Sequence, residues 1–384
     1  MIVPPATLGM LGGGQLGRFF VKAAHEMGYR VVVLDPDPNS PAGRLADKQL
    51  VAAYNDKAAL DQMAVDCAAV TTEFENVPAE SLEYLARSVP VRPGAESVAI
   101  AQNRISEKTF LSDRGFSVGP FAVVRGDVDL DAVDPSLFPA ILKVARFGYD
   151  GKGQARVSNV AEAKQAFHQF RAEACLLEKM LPLDCEVSCV VARDAQGNVA
   201  SFPVAENIHS KGILDISIVP ARVPGALRTE AEETAIGIAA EMDYVGVLGV
   251  EFFVSGGRLL VNEMAPRPHN SGHYSLDACI TSQFEQQVRI LCGLPLGECR
   301  AHSAAVMVNL LGDLWSSQGG GQMREPEWAR LFAVPNLKLR LYRKFEARPG
   351  RKMGHFTVLD ASLSRAVDTA MQARRLIGVR DDED

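Results

Sequence analysis

The stretch VGVLGVEFFVSGGRLLVNEM, residues 245–264, joins two apolar runs through Ser-Gly-Gly. Apolar runs on either side of a short glycine-containing loop are typical of an antiparallel hairpin. Glu251 and Glu263 are equidistant from Gly257, so the hairpin places them opposite each other on one face, with Cβ atoms ~5 Å apart. Two carboxylates in apolar surroundings repel unless a cation lies between them. The stretch therefore predicts a Mg²⁺ site, because Mg²⁺ is usually held by a few carboxylates and substrate phosphates.

The hairpin pattern leaves two points open. One glutamate could face solvent while the other forms a salt bridge, which is the ordinary structural alternative to a metal site. Asn262 falls on the opposite face by the alternation of a pleated strand, unless a bulge turns it inward.

A second stretch, KVARFGYDGKGQ at residues 143–154, contains three glycines after a strand-like run. Glycines at this density let the backbone bend tightly and bring its N–H groups close to an anion. Lys143 would suit an α- or β-phosphate, the loop Gly148–Gly153 would close over the terminal phosphates, and Glu178 would hold an adenine or ribose, with Glu186 eight residues further on. Taken alone, Lys143 could equally be an exposed lysine at a strand end, and the loop could equally be an ordinary glycine-rich hairpin connection. Together with the carboxylate pair they predict an ATP site between two sheets.

The first 95 or so residues alternate strand and helix patterns, which predicts a parallel α/β sheet. LGGGQLGR, residues 11–18, has the spacing Gly12-x-Gly14-x-x-Gly17, and Asp35 ends the next strand. This matches the dinucleotide-binding fingerprint. A tight strand-to-helix turn that binds any anion at the helix N-terminus explains the same residues equally well.

Two polar segments follow the hairpin. NEMAPRPHNSGHYS, residues 262–275, comes directly after the second strand and suggests a site for a substrate anion, although a polar surface loop remains an alternative. YRKFEARPGRKMGH, residues 342–355, is strongly basic, and a phosphate-bearing substrate or a solvated charged face would explain it.

Composition excludes several classes of protein. The chain has 384 residues, which predicts two or three domains, and a net charge of −7, which argues against a nucleic-acid or anionic-membrane partner. We expect no membrane span and no signal peptide, since no apolar run is long enough and the N-terminus lacks a charged region. The seven cysteines form no CxxC pair and are expected to be reduced thiols in a cytoplasmic protein.

Six motifs occur in the order found in one known family: LGGGQLGR, TTEFENVP (71–78), KVARFGYDGKGQ, ENIHSKGI (206–213), GVEFFV…VNEMAPRPHNSGH and ARPGRKMGH. They resemble those of the N5-carboxyaminoimidazole ribonucleotide synthetases, ATP-grasp enzymes of de novo purine synthesis. The similarity covers essentially the whole chain, and the last two motifs are specific to this branch of the superfamily.

The resemblance implies a fold of mixed α/β and α+β class. An N-terminal parallel α/β domain would span residues 1–100, and an ATP-grasp domain would span residues 101–298, with a mobile lid at about 115–185. A small β-rich C-terminal domain would span residues 299–384.

The resemblance also implies the site residues. Metal ligands would be Glu251 and Glu263, in agreement with the hairpin argument. Tyr149, Asp150 and Lys344 would be catalytic, the first two by orienting the amine or bicarbonate. ATP contacts would be Arg104, Lys143, Gly148, Tyr149, Asp150, Gly151, Lys152, Gly153, Gln154, Glu178, Lys179, Leu181, Glu186, His209, Asn262 and Glu263. Contacts to the ribonucleotide would be Glu73, Asn76, Arg267, His269, Asn270, Ser271, Lys344, Arg351 and Lys352, with Glu75 as a further candidate.

The implied activity is carboxylation of 5-aminoimidazole ribonucleotide with ATP and bicarbonate, through carboxyphosphate, in a cytoplasmic homodimer. ATP and Mg²⁺ would be the cofactors, with Mn²⁺ as an alternative to Mg²⁺. Lid closure over a loop that is mobile without nucleotide would exclude water.

Three other functions compete with this one. Another ATP-grasp ligase or carboxylase would keep the ATP residues but not the HNSGH and ARPGRKMGH motifs. A nicotinamide-dependent oxidoreductase would use Gly12–Gly17 and Asp35, and a nucleotide-sensing regulator would need a partner surface that the sequence does not show. One departure from the family stands out: Arg343 occupies a position that is usually glycine, which makes the role of Lys344 harder to assign.

Overall fold

The computed structural model describes residues 1–146, 153–315 and 324–379. The N-terminal part forms a four-stranded parallel sheet in the order β3-β2-β1-β4. Its strands are β1 (Thr7–Leu11), β2 (Arg30–Leu34), β3 (Lys48–Leu50) and β4 (Ala69–Thr72), and its helices are α1 (Gln15–Glu26), α2 (Lys57–Asp66), α3 (Ala79–Ala86) and α4 (Ala95–Ala101). This confirms the predicted parallel α/β sheet and places the carboxyl ends of β1 and β4 side by side.

The next part forms a four-stranded antiparallel sheet in the order β5-β8-β6-β7. Its strands are β5 (Phe121–Val124), β6 (Ala140–Val144), β7 (Gln154–Val157) and β8 (Cys175–Lys179). Its helices are α5 (Arg104–Asp113), α6 (Asp127–Asp131) and α7 (Val160–Gln169), with a 3₁₀ turn at Pro135–Leu137. β7 ends at Val157, and α7 begins after Asn159, whose side chain accepts a hydrogen bond from the Glu162 N–H.

A nine-stranded sheet forms the rest of the molecule, in the order β14-β13-β9-β11-β12-β15-β17-β16 with β10 beside β9. Its strands are β9 (Cys185–Arg193), β10 (Val199–Ser201), β11 (Ala205–Ser210), β12 (Ile213–Val219), β13 (Gly246–Ser255), β14 (Arg258–Ala265), β15 (Ala304–Leu311), β16 (Leu337–Leu341) and β17 (Lys352–Asp360). The remaining helices are α8 (Gly225–Glu241), α9 (Ser275–Ala278), α10 (Gln283–Cys292), α11 (Trp328–Phe332) and α12 (Leu363–Leu376), with 3₁₀ turns at Asn270–Tyr274 and Gly312–Trp315.

The nine-stranded sheet is continuous across the predicted boundary at residues 298 and 299, because β12 pairs with β15. β16 ends at Leu341. The chain leaves the ladder here because Arg343 adopts a left-handed backbone conformation, with φ of 61°.

A buried aromatic cluster joins the N-terminal part to the rest. Phe19 of α1 packs against His273, Phe284, Tyr342 and His355, with ring centroids 5.1–5.9 Å from its own. No helix in the described residues is long and apolar enough to cross a lipid bilayer.

Candidate active site

The hairpin of β13 and β14 places Glu251 directly opposite Glu263. This confirms the predicted pairing, although the centre of the turn differs from the predicted one and a bulge compensates for the difference. The turn residues are Gly256 and Gly257, both with positive φ, and Ser255 pairs with Arg258, so the turn is centred half a residue before Gly257. A bulge between the pairs Glu251–Glu263 and Phe252–Val261 adds one residue, Asn262, and restores the match.

The two carboxylates differ in their surroundings. The Glu251 side chain is 12% exposed and contacts His269 Nε2 at 3.2 Å, whereas the Glu263 side chain is 42% exposed and contacts Arg104 Nη1 at 3.2 Å. Burial, followed by repulsion from Glu263, raises the pKa of Glu251 to about 7. Burial acts in the same direction on Glu263, but attraction by Arg104 and Lys143 holds its pKa below the ordinary value. A cation between the two would relieve the repulsion, so the pair fits a divalent metal.

Lys143 and Glu178 meet on neighbouring strands of the smaller antiparallel sheet. Lys143 Nζ lies 2.5 Å from Glu178 Oε2, and Lys108 Nζ lies 2.9 Å from Glu178 Oε1. Burial alone would raise the pKa of Glu178, but the two ammonium groups lower it to about 2. The structure thus brings together two predicted ATP contacts and adds Lys108, which the sequence did not single out.

Glu186 and His209 lie on the adjacent strands β9 and β11 and contact each other at 3.1 Å. Burial would lower the pKa of His209, but Glu186 and Glu251 raise it above its ordinary value. Lys179 and Leu181 are half-buried beside the end of β8. Gly153 and Gln154 lead into β7. Five predicted residues lie outside the described residues: Gly148, Tyr149, Asp150, Gly151 and Lys152.

The segment after β14 forms a buried polar network. His269 Nδ1 lies 2.8 Å from Ser271 Oγ, which accepts a hydrogen bond from Ser188 Oγ at 2.7 Å. Asn270 exchanges two side-chain hydrogen bonds with Asn309, at 3.1 and 2.8 Å. Asn270 and Ser271 are almost fully buried and already bonded within the protein, so they orient this segment as well as being candidate substrate contacts.

Arg267 reaches the N-terminal sheet, where its Nε donates to Glu75 Oε2 at 3.0 Å. Burial would lower the pKa of Arg267, but Glu75 and Glu73 raise it. Asn76 is half-buried in the same loop after β4. The predicted substrate residues of the loop after β4 and of the segment after β14 are therefore neighbours in the fold.

The glycine turn after β1 is occupied by the protein's own carboxylates. Glu73 accepts hydrogen bonds from the N–H groups of Gly14 at 2.6 Å and Gly17 at 2.8 Å. Asp35 accepts one from the Gly13 N–H at 2.6 Å. An added Cβ at Gly14 would lie 2.6 Å from Glu73 Oε1, so the turn closes tightly on this side chain. These amides are unavailable to a dinucleotide phosphate, which removes the main support for a nicotinamide site.

The basic segment 342–355 packs on the same turn. Lys344 Nζ donates to Gln15 Oε1 at 2.5 Å and to the Lys352 carbonyl at 2.7 Å. Arg351 is half-buried and donates to the Glu346 carbonyl at 3.0 Å. Arg343 occupies a left-handed conformation that glycine adopts without strain, which explains why glycine is usual there.

The comparisons with known proteins cover nearly the whole chain. Family models match residues 5–102 as a ribonucleotide synthetase preATP-grasp domain, 109–284 as an ATP-grasp domain and 305–369 as a phosphoribosylaminoimidazole carboxylase C-terminal domain. The N5-carboxyaminoimidazole ribonucleotide synthase of Bacillus subtilis (strain 168) is 42% identical over 361 residues, which cover 94% of this chain and 93% of the relative. This chain belongs to the N5-carboxyaminoimidazole ribonucleotide synthase family.

Solved structures of the family agree with this membership. The synthetase from Thermus thermophilus is 38% identical, with a TM-score of 0.88 over 97% of this chain and 98% of that chain. The synthase from Aspergillus clavatus, solved in complex with ADP and 5-aminoimidazole ribonucleotide, is 28% identical with a TM-score of 0.86 over 97% of this chain and 98% of that one. The chain therefore has the ATP-grasp fold predicted from its motifs.

Proposed function

We propose that this chain carboxylates the exocyclic amine of 5-aminoimidazole ribonucleotide, with ATP and bicarbonate, to give N5-carboxyaminoimidazole ribonucleotide in purine biosynthesis. Membership of the synthase family supports this activity. The structural observation that carries it is the opposed pair Glu251 and Glu263 beside the Lys143–Glu178 ion pair. That arrangement fits a metal-bound triphosphate and has no use in an oxidoreductase.

The reaction needs two displacements. A bicarbonate oxygen attacks the γ-phosphorus of ATP, ADP leaves, and carboxyphosphate forms. The amine nitrogen then attacks the carboxyl carbon, or CO₂ released from it, so that a C–N bond forms, phosphate leaves and the amine loses a proton. Glu251 and Glu263 would hold Mg²⁺, which supplies positive charge to neutralise the phosphate oxygens when bound.

Positively charged side chains of the protein would also stabilise the negative charge of the phosphates. Lys143 is held at the end of β6 and would exchange its contact with Glu178 for phosphate oxygens as ATP binds. Arg104 already faces Glu263 and would stay within reach of the nucleotide. Both would stabilise charge that moves from the γ-phosphate to the leaving ADP. Tyr149 and Asp150 would orient the amine or bicarbonate.

The ribonucleotide would lie between the loop after β4 and the C-terminal basic segment. Lys344, Arg351 and Lys352 would bind its phosphate, and Arg267 and His269 would face its ring and the carboxyl donor. Burial, followed by the nearby positive charges of Arg267 and Lys352, lowers the pKa of His269 to about 3, so this imidazole is neutral at physiological pH. A neutral ring can accept or donate a hydrogen bond without repelling Arg267.

The decisive test is ADP release from Mg·ATP and bicarbonate, with and without 5-aminoimidazole ribonucleotide. We expect strong stimulation by the ribonucleotide and one carboxylated product per ADP. ADP release at the same rate with and without the ribonucleotide would support the ATP site but indicate that the chain is another ATP-grasp ligase. No ATP turnover, with binding of reduced nicotinamide, would overturn the proposal.

We extend the proposal to a cytoplasmic homodimer. The resemblance to the family supports the dimer, and seven free cysteines support a reducing compartment. Light scattering after size-exclusion chromatography tests the first, and a mass near 41.5 kDa would contradict it.

A further inference from the structure

Helix α5 covers the outer edge of the strand that carries Glu263. β14 is the edge strand of the nine-stranded sheet, so the side that faces away from β13 has no neighbouring strand in that sheet. Its one described backbone bridge on that side is between Val261 and Val118. Buried backbone groups beyond that bridge need other partners, because an unpaired buried carbonyl or N–H is costly.

Two consecutive side chains of α5 supply those partners. Lys108 Nζ donates to the Asn262 carbonyl at 2.7 Å and to the Val261 carbonyl at 3.3 Å. Glu107 accepts a hydrogen bond from the N–H of Met264. Both residues are 3% exposed. The contacts therefore grip the backbone immediately before and after Glu263.

The backbone that these two side chains bind includes the bulge of β14. Asn262 is the extra residue of β14, and a bulge leaves its residue unpaired in the ladder. Without it, Glu251 would face Asn262, and Glu263 would move to the other side of the sheet, because side chains alternate along a strand. Lys108 binds the carbonyl of this extra residue and the carbonyl of Val261 beside it.

The same ammonium group also binds the nucleotide side of the site. An ammonium has three N–H groups, and Lys108 directs them to two carbonyls and to Glu178 Oε1 at 2.9 Å. One buried nitrogen thus connects the strand of Glu263 to the carboxylate that pairs with Lys143.

We propose that Glu107 and Lys108 are positioning residues of the metal site: they hold the Asn262 bulge that sets Glu263 opposite Glu251. This inference rests on the proposed function in taking the two glutamates as metal ligands. Both act through the backbone of β14, and Lys108 in addition through Glu178.

Four variants separate this role from simple loss of stability. Lys108→Met keeps the length of the side chain and removes every donor, and Glu107→Leu removes the acceptor for Met264. Glu107→Gln keeps that acceptor through its Oε1. Thr109→Ala changes an exposed residue on the same helix and serves as the matched control.

Lys143→Met adds a second control. Its ammonium also binds Glu178, but within the described residues it has no hydrogen bond to the backbone of β14. It should weaken nucleotide binding without loosening the bulge.

The full-length chain is measured in two ways. Amide hydrogen exchange of ligand-free protein, over peptides that cover residues 258–266, reports on the bulge. Electron paramagnetic resonance of Mn²⁺, titrated at saturating ADP, reports on the metal site, and calorimetry of ADP without metal reports on nucleotide binding alone.

We expect faster exchange in 258–266 and about tenfold weaker Mn²⁺ binding in Lys108→Met and Glu107→Leu, as for other residues that orient metal ligands. Glu107→Gln should restore both, and Thr109→Ala should match the unsubstituted chain. Lys143→Met should weaken ADP binding with unchanged exchange.

Unchanged exchange and unchanged Mn²⁺ binding in folded Lys108→Met and Glu107→Leu would overturn the inference. So would a Glu107→Gln protein as impaired as Glu107→Leu; this pair decides the matter if Lys108→Met does not fold. Mn²⁺ binding that survives Glu251→Gln and Glu263→Gln would overturn the metal assignment instead, while the exchange data still show whether α5 holds the bulge.

Discussion

The glycine turn after β1 and the β13–β14 hairpin make an instructive pair. Both have the spacing of a nucleotide site, and both collect carboxylates. In the glycine turn, Glu73 and Asp35 bind backbone N–H groups and so complete the structure. In the hairpin, Glu251 and Glu263 face each other and repel. A carboxylate that completes the fold is therefore distinguished from one that can bind a ligand by its partners, and for Glu73 those partners are 56 and 59 residues away in the chain.

The sharpest test of this contrast is Glu263→Gln. Loss of one carboxylate should lower ADP formation at least about a hundredfold, because the charge that holds a divalent cation is halved. Ribonucleotide binding, measured by calorimetry, should remain within a few-fold of the unsubstituted chain. Retained turnover at ordinary Mg²⁺ would contradict the assignment of Glu263 as a metal ligand.

The structural role of Glu73 in the glycine turn is tested by Glu73→Ala. The buried N–H group of Gly17 and the part-buried one of Gly14, at the start of α1, would lose their acceptor, which should lower the free energy of unfolding by on the order of 3 kcal/mol. Urea unfolding measures this, with the exposed Glu80→Ala as the control. A loss no larger than that of the control would mean that Glu73, like Glu263, is kept for a ligand.

A smaller effect on stability is expected from the aromatic cluster that joins the N-terminal part to the rest of the molecule. Burial, then repulsion by Arg340, lowers the pKa of His355 to about 3. The folded protein therefore takes up this proton less readily than the unfolded chain, so stability is full above the unfolded pKa of 6.5 and is lost as the pH falls below it. Between pH 7.5 and 5.5 the protonation of this residue should lower the free energy of unfolding by about 1.4 kcal/mol. Urea midpoints across that range should fall in the unsubstituted chain and fall less in His355→Gln; parallel slopes would contradict the assignment.

The smallest effect is expected from Arg343→Gly. Glycine relieves the left-handed strain, which should raise the free energy of unfolding by less than about 1 kcal/mol. Removal of the guanidinium near Lys344 should raise the KM for the ribonucleotide a few-fold without changing kcat. An unchanged KM would show that Arg343 lies outside the field of the substrate phosphate.

Local sequence patterns predicted the parallel sheet, the hairpin and the facing glutamates, because strand alternation and turn glycines are short-range signals. The local pattern leaves the bulge at Asn262 as an alternative, since Lys108, which binds its carbonyl, is 154 residues away. Glu107 and Lys108 read as an ordinary charged pair on a helix, and nothing in their own segment predicts burial. The closure of the glycine turn by Glu73 was missed for the same reason: its partners are 56 and 59 residues distant.

The pairing of β12 with β15 limits how this protein can be divided. A chain cut after residue 298 would expose the edge of β12, Ile213–Val219, whose last four residues are buried in the intact sheet. Such a bare apolar edge invites pairing with another copy and aggregation. The C-terminal segment is therefore a poor module for exchange between relatives, and fusion or truncation designs should keep the nine strands together.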